Sequence, residues 1–144
     1  MTERNKAHFL DRVSREMDED LGELALAPRD ALAACCRILA HEGHESGLAG
    51  QVTAAGEKPG TWWTLKFGLG FEEATGDRMV LVDEDLKPLS GGRPNPGVRF
   101  HVWIYRKRPD VKAIVHTHAP FASALAATGQ PLRTIHMDSA MLHG

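Results

Sequence analysis

His116 and His118 close the apolar run "AIVHTHAP" at residues 113–120, and their type and spacing make them the side chains best suited to chemistry. On an extended strand, side chains at i and i+2 leave the same face. The two imidazoles are therefore expected to project together, with Val115 and Thr117 turned the other way. Held by a stiff strand, they would supply adjacent corners of a divalent-metal site, and zinc, iron, manganese or cobalt suits such nitrogen donors. A helix opening at Pro120 would aim its first N–H groups toward the same place. The competing reading is a pair of hydrogen-bonded histidines at a sheet edge. Two ligands are also fewer than the three that a catalytic zinc normally takes from protein.

Two other metal frameworks fit poorly. A metallo-β-lactamase-type site needs an Asp and a further His directly after the pair, where Ala119 and Pro120 stand. A cupin-type site needs a Glu a few residues on, and none follows His118.

The elements that must position the pair are legible from periodicity and punctuation. Ala7, Leu10, Val13 and Met17 recur at helical spacing over residues 3–18, and the charged "DEDLGE" reads as a connector. Pro28 opens a second helix with Leu32, Cys35, Cys36 and Leu39 as its apolar stripe, and Gly43 stops it. A glycine-bearing loop leads into "GQVTAA", "GEKPG" is a turn, and "TWWTLKF" is a strand. Its Trp62, Trp63 and Phe67 suggest core on one face and surface on the other more than a substrate wall. "FGLGFEEATGD" is a loop with one helical turn, "RMVLVD" a strand and "LSGGRPNPG" a loop. A helix follows from Pro96 to Arg108 on a Phe100, Trp103 and Ile104 stripe, and Pro109 closes it. Then come "VKAIVHTH" as strand, "PFASALAAT" as helix and "PLRTIHM" as strand. Such alternation predicts helices layered on one sheet, an α/β class.

Composition restricts the setting. The 144 residues suit a single domain with a real core, and 42% apolar with 25% charged residues is a globular balance. Seventeen basic against 19 acidic residues leave a net charge of −2, so no global field attracts nucleic acid or a membrane surface. The N-terminus lacks a signal-peptide apolar core, and no stretch is apolar for long enough to span a bilayer. Adjacent Cys35 and Cys36 are poorly placed to bridge each other. They read as small core residues in a reducing compartment, and a cytoplasmic protein is expected.

Taken together, "GLAGQVT", "RPNPGVRFHVWIYRKRPDVKAIVHTHAPFASALA" and "GQPLRTIHMDSAM" resemble the class II aldolase/adducin family. The likeness covers about residues 28–141 and is densest from Asn95 to Ala126. It implies a three-layer α/β/α sandwich around a largely antiparallel sheet, commonly assembled as a homotetramer. Residues 1–27 then form a helical arm and connector, and 28–144 the N-terminal portion of the family's domain. Active members act on small-molecule substrates. They cleave phosphorylated ketoses or carry out related decarboxylations and epimerisations, with a divalent metal, often zinc, as Lewis acid toward an enediolate. The resemblance makes His116 and His118 two of the metal ligands. It places Gly50-Gln51-Val52-Thr53 in the loop that holds the substrate phosphate, where Gln51 replaces the usual Asn, and sets Gly68 near a second substrate-facing loop.

There are departures from the pattern. Aldolases of the family carry Ser-Ser-Glu before the helix, with the Glu four residues ahead of a histidine, and here Asn95-Pro96-Gly97 precedes His101. That triplet resembles the adducin-like branch. Glycine cannot do the acid–base work of a carboxylate. His101, one turn on, is the candidate to face the same cavity, against a reading as a hydrogen-bonded core residue. Asn95 is a candidate contact to substrate, against a role as a cap. The family's third metal histidine comes from a later segment, and neither His136 nor His143 matches it. His8, His41 and His44 suit the surface. The expectation is a C-terminally incomplete domain: a metal-dependent aldolase-type lyase for a small sugar or hydroxy-keto compound, phosphorylated or not, when whole. The alternatives are a non-catalytic adducin-like assembly module and an inactive fragment.

Overall fold

A computed structural model describes residues 3–21, 26–44 and 47–141. In chain order it contains helices α1 (Glu3–Leu21) and α2 (Pro28–His41), then strands β1 (Gln51–Ala55), β2 (Trp62–Leu65), β3 (Met79–Val82) and β4 (Pro88–Ser90). Helix α3 (Arg99–Lys107), strand β5 (Ala113–His116), helix α4 (Pro120–Ala127) and a last helical turn α5 (Met137–Ala140) follow. Short 3-10 turns occur at Phe71–Glu73, Gly76–Arg78 and Pro96–Val98. The five strands lie in the order β4-β3-β2-β1-β5, and every adjacent pair is antiparallel. No helix among the described residues is long and apolar enough to cross a membrane.

Both faces of the sheet are covered, which makes the three layers. Strand β2 is buried at all four positions. Its Trp63 and Leu65 join Val52, Met79 and the α2 residues Leu32, Ala33 and Cys36 on one face. Trp62 joins Val80, Val82 and the α3 residues Val102 and Tyr105 on the other. Trp62 and Tyr105 stack with ring centroids 5.1 Å apart. The expected division of the two tryptophans between core and surface is thus replaced by burial on opposite faces, because helices cover both sides.

Helix α2 ends as its glycine requires. Gly43 has φ +72°, its N–H donates to the Ala40 carbonyl, and the His44 N–H donates to the Leu39 carbonyl. That is a Schellman closure, which spends a left-handed residue to satisfy carbonyls at the helix end. Both cysteines are free, and burial pushes the Cys36 thiol up to about 12.

Four sequence expectations need correction. Helix α1 continues through "DEDL" to Leu21, where a connector is expected. Pro88–Ser90, expected as loop, pairs with β3 as an edge strand. Helix α3 buries His101, Val102 and Tyr105, whereas Trp103 and Ile104 are exposed. The stripe is rotated because polar His101 and Tyr105 have a buried partner on the sheet, a gain that periodicity of apolar residues does not register. Finally, "PLRTIHM" forms no strand. The Ser139 hydroxyl oxygen accepts from the Ile135 and His136 N–H groups and donates to the His136 carbonyl. Local side-chain bonds of this kind compete with a ladder for the same backbone groups.

The buried partner is Thr53. Its Oγ1 lies 2.8 Å from His101 Nδ1 and 2.8 Å from the Tyr105 hydroxyl. Tyr105 also donates to the Thr53 carbonyl at 3.3 Å. His101 is 0% exposed, and its Nε2 has no hydrogen-bond partner among the described residues. Burial, with a smaller contribution from His116, pushes its pKa down to about 4 from an ordinary 6.5. A histidine buried neutral favours the folded state fully above the unfolded value near 6.5. That contribution declines as pH falls through the window down to about 4 and is gone below it, a difference of about 3 kcal/mol. Urea unfolding at pH 7 and pH 4.5 is expected to show this loss, and His101→Asn to flatten it.

The turn into β1 is tightly specified. Gly50 has φ +92°, and a Cβ there would meet the His116 carbonyl oxygen at 3.0 Å and the Phe71 ring at 3.1 Å. Gly68 has φ +91° but open space around a Cβ. Gly50→Ala is therefore expected to cost about 1–3 kcal/mol in chemical denaturation, and Gly68→Ala measurably less, since it adds backbone strain without a collision.

Candidate metal centre

The antiparallel register of β1 and β5 decides which side chains meet. Gln51 lies across from His116, Val52 from Val115 and Thr53 from Ile114. Directly opposed residues share a face with Cβ atoms roughly 5 Å apart. Gln51, Thr53, Ile114 and His116 therefore line the face covered by α3. Val52 and Val115 line the face covered by α2. Thr117 follows the α2 side, where its hydroxyl lies 3.3 Å from His44 Nδ1.

His116 Nε2 and His118 Nε2 stand 3.0 Å apart, their rings near perpendicular at 86°. Two nitrogens bound to one ion at about 2.0–2.1 Å are separated by about 2.9 Å at a right angle and about 3.3 Å at the tetrahedral angle. The observed separation falls in that interval, so the pair fits two corners of a metal site. Without an ion, the same separation suits one N–H···N hydrogen bond whose direction depends on the tautomers. No third His, Cys, Asp or Glu joins the pair to complete a ligand group among the described residues. The edge of Phe100 packs against His116 with ring centroids 5.1 Å apart, fixing the imidazole from the α3 side.

Each remaining candidate has a definite place. Gly50, Gln51 and Asn95 come together around a narrow cleft of about 10 Å³, which Lys66 and Phe71 also line. That volume admits about one water molecule. The Asn95 side-chain oxygen accepts from the Gly97 N–H at 2.9 Å, capping the 3-10 turn that leads into α3. Gly68 is a turn residue beside the cleft and does not line it. His101 points its chemistry inward, onto Thr53. His8 and His41 are exposed, and His136 is exposed beside Asp138. His143 lies outside the described residues. A much larger cavity of about 490 Å³ opens at the far end of β1, between Ala55–Trp62 and Tyr105–Lys112, with no histidine or cysteine in its wall.

Sequence reasoning passed over Lys66 and over Phe100 as a wall for His116, and the resemblance put Thr53 in the phosphate loop, where the structure buries it on His101 and Tyr105. Thr53 stands two residues after Gln51 and so shares its face, which was a usable signal. Phe100 carried no signal beyond its apolarity. Lys66 is drawn in by an isolated bridge to Pro94, a pairing invisible before folding.

The face bearing His116 and Gln51, with the glycine turn before it, can be set beside known proteins. The Class II Aldolase and Adducin N-terminal domain family matches residues 30–144. The chain is 29% identical over 107 residues to a 5-methylthioribulose-1-phosphate/5-deoxyribulose-1-phosphate aldolase of Escherichia coli O45:K1, covering 74% of this chain and 49% of that protein. It is 36% identical over 115 residues to a 3,4-dihydroxyphthalate decarboxylase of Arthrobacter keyseri, covering 74% and 46%. Among solved structures, an L-fuculose 1-phosphate aldolase from Glaciozyma antarctica PI12 superposes with a TM-score of 0.73 at 31% identity, over 78% of this chain and 48% of that one. The chain thus spans about half the length of the curated relatives it matches. With the family's sequence pattern running from α2 to the last residue and the family's layered antiparallel sheet beneath it, the chain belongs to the class II aldolase/adducin family.

Proposed function

We propose that this domain serves a metal-dependent carbon–carbon lyase, acting on a small sugar or hydroxy-keto compound, phosphorylated or not, within a cytoplasmic homo-oligomer. The observation that carries the reading is the convergence of His116 and His118 Nε2 to 3.0 Å on one face. A divalent ion, zinc first and otherwise iron, manganese or cobalt, would act there as a Lewis acid toward a substrate carbonyl. His116 and His118 hold it, Phe100 keeps the His116 ring in place, and the Gly50–Gln51 turn brings backbone and a polar side chain alongside. Likeness to aldolases and a decarboxylase supports the reaction class.

Gly97 bears on which lyase. A carboxylate at this position is absent, so a reaction that asks least of a side-chain base is favoured, and decarboxylation ranks above retro-aldol cleavage. In decarboxylation the bond to the departing CO₂ breaks, its electron pair stays on the carbon beside the carbonyl, and water can return the proton. The same glycine favours a second reading, a non-catalytic adducin-like assembly module. Metal content separates the two. The chain purified without a histidine tag is expected to carry near-stoichiometric zinc, iron, manganese or cobalt by elemental analysis, and a His116→Ala/His118→Ala variant to carry none. Metal-free protein in both forms would overturn the lyase reading for this chain and favour the assembly module.

A further inference from the structure

Two imidazoles make a site only while their spacing is kept, and the fold secures the two by different means. His116 is the last ladder residue of β5, paired with Gln51. Gly50 lies close against its carbonyl oxygen, and Phe100 packs on its ring. Thr117 and His118 lie beyond the ladder, and neither makes a backbone hydrogen bond with the described residues. The chain past His116 is tied through the side chain of Thr117, whose Oγ1 lies 3.3 Å from His44 Nδ1. His44, expected at the surface, is half-buried. Its own backbone is fixed, because its N–H donates to the Leu39 carbonyl at 2.8 Å in the turn that Gly43 closes. Through α2 it is joined to the core at Leu32, Ala33 and Cys36.

We propose that His44 is a positioning residue for the histidine pair, holding Thr117 from the α2 side and so fixing His118 relative to His116. Its value for chemistry rests on reading the pair as metal donors. Residues 116 and 118 leave one face of an extended chain and residue 117 the other. A bond at Thr117 therefore pins the segment from behind and leaves both imidazole Nε2 atoms free for an ion. Phe100 holds His116 from the α3 side, so the pair is clamped across the sheet. The 3.0 Å separation of the two nitrogens is thereby set in advance, and preorganised donors are what a precise metal grip requires. Which partner donates in the His44–Thr117 bond depends on the tautomer, and either direction ties the same two atoms.

Histidine ring signals in NMR spectra of the metal-free full chain read the positioning directly. Thr117→Val keeps the branched shape and removes the hydroxyl, whereas Thr117→Ser retains it. Thr117→Val and His44→Ala are each expected to move the His118 ring signals, and the double variant to move them no further, since both remove one contact. Thr117→Ser should leave them near their original place. The His101 signals, buried at Thr53, should hold still throughout and so report an intact fold. Unmoved His118 signals in Thr117→Val, or a Thr117→Ser protein that behaves like Thr117→Val, overturn the proposal. Titration with cobalt(II) then reads the consequence for metal. Binding is expected to weaken about tenfold in Thr117→Val and in His44→Ala, with altered visible d–d absorption. Cobalt held by the histidines with unchanged affinity in both variants overturns the proposal as well. Failure of the lyase reading looks different: the unaltered chain and His116→Ala/His118→Ala take up cobalt alike or not at all, while Thr117→Val still moves the His118 ring signals.

Discussion

A hydrogen-bond junction at Thr53 sets the geometry on which the site depends. One hydroxyl, buried in the middle of β1, meets both His101 and Tyr105 at 2.8 Å. These residues are four apart on α3, so they fall on one side of the helix, and satisfying both fixes the rotation of α3 about its axis. That rotation seats Val102 in the core and turns Trp103 outward. It also sets the entry of α3, where Phe100 packs on His116 and Gly97 backs onto Gln51. Buried polar groups are costly to leave unpaired, which gives the junction a strong preference for this arrangement over one that buries the more apolar Trp103 and Ile104.

The same strand links the junction to the histidine pair. Thr53 and Gln51 share a face of β1, and the ladder to β5 delivers Ile114 and His116 opposite them. A slip of one residue would exchange the faces and send His116 toward α2. The register is held by buried Val52 on the α2 side and by the turn at Gly50, whose missing side chain lets β1 begin against the His116 carbonyl. After α3, a bidentate Arg108–Asp110 pair at 2.8 and 2.6 Å closes the turn that leads into β5, and Arg108 draws the Asp110 carboxyl down to about 2. The pair is exposed, so it shapes the turn more than it stabilises the fold.

Much of this was legible before folding because it depends on local chemistry. Pro28 and Gly43 marked the ends of α2, the β-branched and aromatic runs marked β1, β2, β3 and β5, and the His-x-His spacing placed both imidazoles on one face. The reading failed where a partner outside the local window decided the outcome. The edge strand Pro88–Ser90 exists because β3 offers it a free neighbour; residues 131–136 stay irregular for a local reason, since Ser139 takes up the Ile135 and His136 N–H groups. His101, weighed both as a group facing the cavity and as a hydrogen-bonded core residue, is the latter, with Thr53 beneath it.

Sequence alone therefore determined most element types, the family and the direction of the two histidines, since periods of 2 and 3.6 residues and the turn chemistry of glycine and proline act over a few positions. Tertiary structure decided the burial of both tryptophans, the rotation of α3, and the meeting of Gln51 with Gly97 across 46 positions of chain. Those outcomes depend on which surfaces are brought within contact distance, and no local pattern encodes a contact that exists only after the sheet has closed beneath the helix.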